Sequence, residues 1–153
     1  MKKIIVLAFF VIGFISVQAQ DVVWNNNLDK AIELSKKTNK PLLLFFTGSD
    51  WCGWCHRLQD EVFKKPEFIE WAKKSVVLVE VDFPRKTQLA PELQTQNNQL
   101  QQFFAVRGYP TVWFVNATKK EGKIEYEKIG STGYLAGGAK TWLDAVNAIL
   151  YKK

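Results

Sequence analysis

Apolar residues recur at two spacings along the chain, and the alternation between them predicts the order of elements. Leu28, Ala31, Ile32, Leu34 and Ser35 follow a helical spacing, with Asn25, Asn26 and Asn27 ahead of them as candidate N-caps and the polar stretch Lys36 to Lys40 behind. Pro41 opens a continuous apolar run, Leu42 to Phe46, which ends at Gly48-Ser49-Asp50 and reads as a strand buried on both faces. Helical spacing returns after Cys52 through Leu58, Val62 and Phe63, and Pro66 kinks or restarts it before Phe68, Ile69 and Trp71. Val76 to Asp82, rich in β-branched residues, is a second buried strand. The irregular, glutamine-rich segment Phe83 to Gln102 predicts a loop, then a helix from about Gln94 to Ala105. Thr111 to Val115 reads as a third strand, Asn116 to Gly122 as a turn and Lys123 to Ile129 as a half-exposed edge strand. Behind Gly137 and Gly138, the residues Trp142, Ala145, Val146, Ile149 and Leu150 share one face of a closing helix.

That order implies an α/β domain. Its first two strands need a right-handed crossover, its last two form a hairpin, and helices cover both faces of a mixed sheet.

The first residues stand outside this pattern. Lys2 and Lys3 precede the apolar run Ile4 to Val17, and Val17-Gln18-Ala19 places a small residue where signal peptidase cuts. The run is shorter than the ~20 residues that span a bilayer, so residues 1–19 read as a signal peptide cleaved after Ala19 rather than a retained anchor. Residues 20–153 then form one domain, periplasmic or secreted. At 153 residues, 47% hydrophobic and 24% charged, the chain has the apolar mass for one core, which excludes disorder and a large multidomain enzyme. The net charge of +6 comes from lysine pairs scattered among acids, with no basic run, so it describes a solvated surface and not a nucleic-acid partner.

The candidate chemistry lies at the end of the first strand, in Trp51-Cys52-Gly53-Trp54-Cys55-His56. Where a buried strand gives way to a helix, free backbone N–H groups and the positive end of the dipole stabilise a thiolate. Cys52 is then the exposed nucleophile and Cys55, one turn further in, the resolving thiol. Exchange runs through a mixed disulfide between Cys52 and a substrate. Trp51, Gly53, Trp54 and His56 surround the pair and are placed to tune it. Three other readings compete. C-x-x-C-H is also a haem-attachment signature, but once the leader is cut no Met remains and His56 is the only His, so a second axial ligand is missing and no haem is expected. A purely structural disulfide across so short a loop would contribute only about 2 kcal/mol. A metal site built on two thiolates and His56 lacks a fourth ligand. Neither a metal nor another cofactor is implied.

The stretch Phe45 to Leu58 with its Cys-Gly-Trp-Cys core, together with Gly108-Tyr109-Pro110-Thr111 at the mouth of the third strand, resembles the thioredoxin superfamily. The resemblance implies a thioredoxin fold, with a central mixed four- to five-stranded sheet flanked by helices. It also implies that Pro110 is cis and lies against the cysteines, and that the Tyr109 backbone pairs with a substrate strand beside Cys52. The chain departs from the family in places. Gly53-Trp54 replaces the Gly-Pro of thioredoxin and the Gly-His of the isomerases, and Trp54 is expected to form an apolar surface with Trp51. Phe46 stands where thioredoxin carries a buried acid, leaving Glu80, Asp82 or a water to take the Cys55 proton. Gln59 stands where the thioredoxin-like domain of membrane electron-transfer reductases often has a glutamate. His56 is expected neutral at a helix N-terminus, with packing and redox tuning as its alternative roles.

The expected activity is thiol–disulfide exchange with protein disulfide or dithiol substrates. The resemblance leans toward a reductase fed by a membrane electron-donor protein, because soluble reductants are scarce outside the cytoplasm. An oxidant or isomerase, or a peptide-binding module around an inert disulfide, are the alternatives.

Overall fold

The sheet is built around the two apolar runs. In this computed structural model, which describes residues 22–152, Leu42–Thr47 forms β2 and Val77–Asp82 forms β3, paired in parallel from Leu42↔Val77 to Thr47↔Asp82. The parallel register follows from the two runs having water on neither face. β4 (Thr111–Lys120) lies antiparallel on the other side of β2, with Phe46 opposite Thr111, and β5 (Lys123–Thr132) closes the hairpin. The fifth strand is β1 (Trp24–Asn25), a two-residue edge parallel to β3. The sheet order is β1-β3-β2-β4-β5. The expected mixed sheet is therefore present with five strands. β1 carries too short a pattern to be read from sequence, and it is held by Asn25 Nδ2 donating to the Leu78 carbonyl at 3.0 Å.

The hairpin is longer than the sequence pattern implied. Asn116 to Lys120 is strand, not turn, and the reversal needs only Glu121 and Gly122, both at positive φ (49° and 80°) as a tight two-residue hairpin requires. Of this segment only Ala117 reaches the core; its other residues are polar, and only the ladder reveals them as strand.

Helices fill both faces. Asn27 caps α1 (Leu28–Thr38) by accepting the Lys30 N–H at 2.9 Å, and Asn39 ends it in the left-handed conformation. α4 (Pro91–Phe103) begins three residues before the expected start because Pro91 fits the first helical turn, where its missing N–H costs nothing. Together α1 and α4 cover Leu42, Leu44, Phe46, Val79 and Val81. The opposite face is covered by α2 (Gly53–Leu58), α3 (Pro66–Ser75) and α5 (Gly138–Leu150). α2 runs without a break into a π-helical stretch, Gln59–Phe63. Trp142 of α5 is fully buried at the centre of this second layer, against Phe63, Phe68 and Phe114, and its indole N–H donates to the Gly133 carbonyl at 3.0 Å. Both cysteines belong to this layer. Among the described residues no helix is long and apolar enough to cross a membrane. The expected signal peptide, residues 1–19, lies outside the described residues.

Candidate active site

β2 delivers the chain to a turn in which the N–H groups of Trp51 and Cys52 both donate to the Gly48 carbonyl, at 3.2 and 2.9 Å. Cys52 is thereby placed as the N-cap of α2, and its sulfur accepts the Cys55 N–H at 3.2 Å. The two sulfurs are bonded at 2.08 Å. When that bond opens, the Cys52 sulfur is left at the free N–H groups of a helix start, which favours its thiolate. Cys52 is the more accessible of the two, but only just, at 5% against 0% for Cys55. The expectation of an exposed Cys52 thiol is thus corrected for the oxidised protein: the side chain turns inward to cap the helix and to bond Cys55.

Trp51 and Trp54 do not form a common surface. Trp51 lies in the turn, where its Nε1–H donates to the Phe83 carbonyl at 2.7 Å, its ring meets Tyr109 edge-on at 5.7 Å, and the Arg85 guanidinium sits 3.8 Å above it. Trp54, on the outer side of α2 and 55% exposed, packs instead on Tyr134 at 5.2 Å. Arg57 lies 5.4 Å from both of those rings, and Glu61 joins them, pairing with Arg57 Nε at 2.6 Å and accepting the Tyr134 hydroxyl at 2.6 Å. The Arg57 hydrogen bond, with Tyr134's, holds the Glu61 carboxyl below its ordinary range. The i,i+4 spacing of Arg57 and Glu61 is visible in the sequence. Tyr134, 73 residues from Glu61, and Arg85 carry no local signal.

The loop after β3 is tied to the same turn. The Asp50 carboxylate accepts the backbone N–H groups of Arg85 (2.9 Å), Lys86 (2.6 Å) and Thr87 (3.2 Å), which hold it below the usual carboxylate range. Ser49 donates its N–H to Asp82 at 2.8 Å and its hydroxyl to the same carboxylate. The Ser49 carbonyl accepts His56 Nε2–H at 2.7 Å. His56 is exposed, so of its two expected roles core packing is not the one observed; it anchors α2 to the turn. Gly53 faces open space, with nothing within 4 Å of where a Cβ would sit.

The Tyr109-Pro110 peptide is cis, as the resemblance implied. Its position follows from tertiary contacts: Tyr109 packs between Trp51 and Phe83 and its hydroxyl accepts from Gln101 Nε2 at 2.6 Å. Burial pushes the Tyr109 hydroxyl above its ordinary pKa. Gly133 closes the other side, where a Cβ would lie 3.1 Å from the Pro110 carbonyl oxygen.

The sheet also shows which way Phe46 faces. Side chains alternate along β2, and it is Phe45 that shares the cysteine layer, while Phe46 packs on the far face against Phe104. The face toward the cysteines is thus apolar at Phe45 and polar at its neighbours on β3, since Leu78 belongs to the cysteine layer and Glu80 and Asp82 follow it in alternation. Burial, then repulsion from Asp82, pushes the Glu80 carboxyl above its ordinary value. Asp82 is engaged by Ser49.

This geometry has known counterparts. Residues 28–135 match the thioredoxin-like domain family. The chain is 35% identical over 134 residues to the disulfide bond reductase DsbH of Chlamydia pneumoniae, covering 88% of this chain and 76% of that protein. The thioredoxin-related protein DsbJ of the same organism is 30% identical over 119 residues, which is 78% of this chain but only 33% of DsbJ. A solved structure of DsbH oxidoreductase superposes with a TM-score of 0.79 at 30% identity, covering 96% of each chain. A thioredoxin from Thermus thermophilus shares the fold at a TM-score of 0.61 and 17% identity, covering 86% of this chain and 89% of its own. The chain belongs to the thioredoxin-like family and is a thiol–disulfide oxidoreductase.

Proposed function

We propose that this protein is an extracytoplasmic reductase of protein disulfides, with Cys52 as the attacking thiol and Cys55 as the resolving one. The observation that carries the reading is the placement of Cys52 as N-cap of α2, beside a cis-proline turn that Trp51 locks to it through Tyr109. The Cys52 thiolate attacks one sulfur of the substrate disulfide, forming a mixed disulfide and releasing the first substrate thiolate. Cys55 then attacks Cys52, the second substrate thiol leaves, and the Cys52–Cys55 bond is restored. An external dithiol must reopen that bond, and a membrane electron-donor protein fits a compartment without soluble reductant. A substrate strand pairs with the Tyr109 backbone, and Pro110, Trp51 and Trp54 border it. Lys2 and Lys3, the apolar run Ile4 to Val17 and the Val17-Gln18-Ala19 site support export. The relative named a disulfide bond reductase supports the direction. Of the notional acceptors Glu80, Asp82 and water, we assign the Cys55 proton to Glu80, because it follows Leu78 in alternation toward the cysteine layer and burial raises its pKa.

The test is trapping. Cys55→Ala leaves the first step intact and removes the second, so it accumulates mixed disulfides through Cys52, whereas Cys52→Ala accumulates almost none. Equal trapping by the two variants overturns the assigned roles, and mass spectrometry of the trapped species identifies the substrates.

A further inference from the structure

Thr47 is the last residue of β2 and is fully buried, and its hydroxyl is the one buried side-chain polar atom without a hydrogen-bond partner among the described residues. A buried hydroxyl left unpaired forfeits its hydration without a compensating bond, so its retention calls for a state in which it is paired. Its surroundings indicate which state. Leu43 and Phe45 lie in the cysteine layer, and alternation puts Thr47 on the same face. Its register partner on β3 is Asp82, and the antiparallel pair Phe46↔Thr111 brings it alongside Pro110, the residue just ahead of β4. The next residue, Gly48, accepts the Cys52 N–H at 2.9 Å, and the Trp51 ring lies against Gly48. Thr47 therefore sits between the cis-proline turn and the cysteine turn, in the same layer as the fully buried Cys55. In the disulfide the Cys55 sulfur is bonded to Cys52 and has little acceptor strength left. Two-electron reduction frees it to turn toward a donor, weakly as a thiol and far more strongly as a thiolate.

We propose that Thr47 is a positioning residue for the redox reaction: its hydroxyl is unpaired while the disulfide is closed and donates to the Cys55 sulfur once the disulfide opens, stabilising the reduced protein selectively. The inference rests on the proposed function to the extent that the pair must open in turnover. It adds a residue that tilts the equilibrium between the two states, whichever substrate is used.

Thr47→Val keeps the β-branched shape and removes only the hydroxyl; Thr47→Ser keeps the hydroxyl. Each full-length variant is equilibrated with mixtures of reduced and oxidised dithiothreitol, and free thiols are counted after alkylation. Dithiothreitol supplies two electrons and two protons and becomes its cyclic disulfide, while Cys52 and Cys55 become thiols. The constant for reducing Thr47→Val falls about three- to ten-fold, and Thr47→Ser stays within about two-fold of the wild type. The three- to ten-fold fall corresponds to a midpoint ~15 to 30 mV more negative. Urea unfolding separates the states: Thr47→Val lowers the stability of the reduced protein and leaves the oxidised protein unchanged or more stable. Equal effects on both oxidation states, or an unchanged redox constant, overturn the proposal while leaving the proposed function standing. A disulfide that dithiothreitol does not open overturns both. Should Thr47→Val not fold, Thr47→Ala gives the same comparison.

Discussion

Gly48→Ala is a one-carbon test of how the cysteine turn is held. Gly48 is not among the residues at positive φ, so alanine imposes no backbone strain there. The conflict is with a side chain: the new Cβ would lie 2.5 Å from Trp51 Nε1 and 2.7 Å from Cζ2, against an ordinary contact of about 3.5 Å. A rigid indole can answer in two ways. If it stays, the overpacked contact costs about 1 to 3 kcal/mol. If it retreats by the ~1 Å needed, it weakens the bond to the Phe83 carbonyl, the Arg85 stack and the Tyr109 edge contact. Those three are worth roughly 0.5 to 1.5, 0.5 to 1 and 0.5 to 1.5 kcal/mol. The ring takes the cheaper route, so the protein is destabilised by about 1 to 3 kcal/mol. Urea denaturation of the oxidised variant measures this, and a shift in tryptophan emission reports whether the indole has moved. The decisive comparison is the double-mutant cycle with Trp51→Ala, in which the added methyl meets no ring and costs less than about 0.5 kcal/mol. If Gly48→Ala is as costly without the indole as with it, the turn is held by something other than the Trp51 contacts and the reasoning fails.

Two further outcomes follow from electrostatics. Because burial raises the Glu80 pKa above its ordinary 4.5, ionising it is harder in the folded than in the unfolded chain, so its contribution is fully favourable below pH 4.5 and is lost as pH rises through the raised value. Glu80→Gln is accordingly more stable than the wild type at pH 7 and gains nothing at pH 4; urea midpoints that differ equally at both pH values would show that the charge plays no part. Asp50→Ala removes the acceptor for three backbone N–H groups, so amide exchange at Arg85, Lys86 and Thr87 should rise about five-fold or more while that of β2 is unchanged. Unaltered exchange in that loop would mean that Asp50 does not order it.

The cysteine pair and the cis-proline turn were readable because each is a local string: Cys52 to Cys55 within one helical turn, and Tyr109-Pro110 at a strand mouth. The surrounding cluster was not. Arg85 reaches Trp51 only because Asp50 gathers the loop after β3, and Tyr134 reaches Trp54 only because α5 returns under β5. That Phe46 faces away from the cysteines was illegible for the same reason. In a run such as Leu42 to Phe46, apolar at every position, nothing in the residues says which side chains face which layer, and a slip of one position exchanges the faces.

By itself, then, the sequence determined the alternation of elements, the α/β class and the exchange chemistry of two cysteines three residues apart, because propensity, periodicity and motif spacing act over a few residues. Only the tertiary structure decided that Phe45 rather than Phe46 faces the cysteines, that the two tryptophans serve different neighbours and that the Thr47 hydroxyl is buried without a partner. Those are consequences of strand register and of contacts between distant segments, which depend on how the whole chain closes and not on any stretch of it.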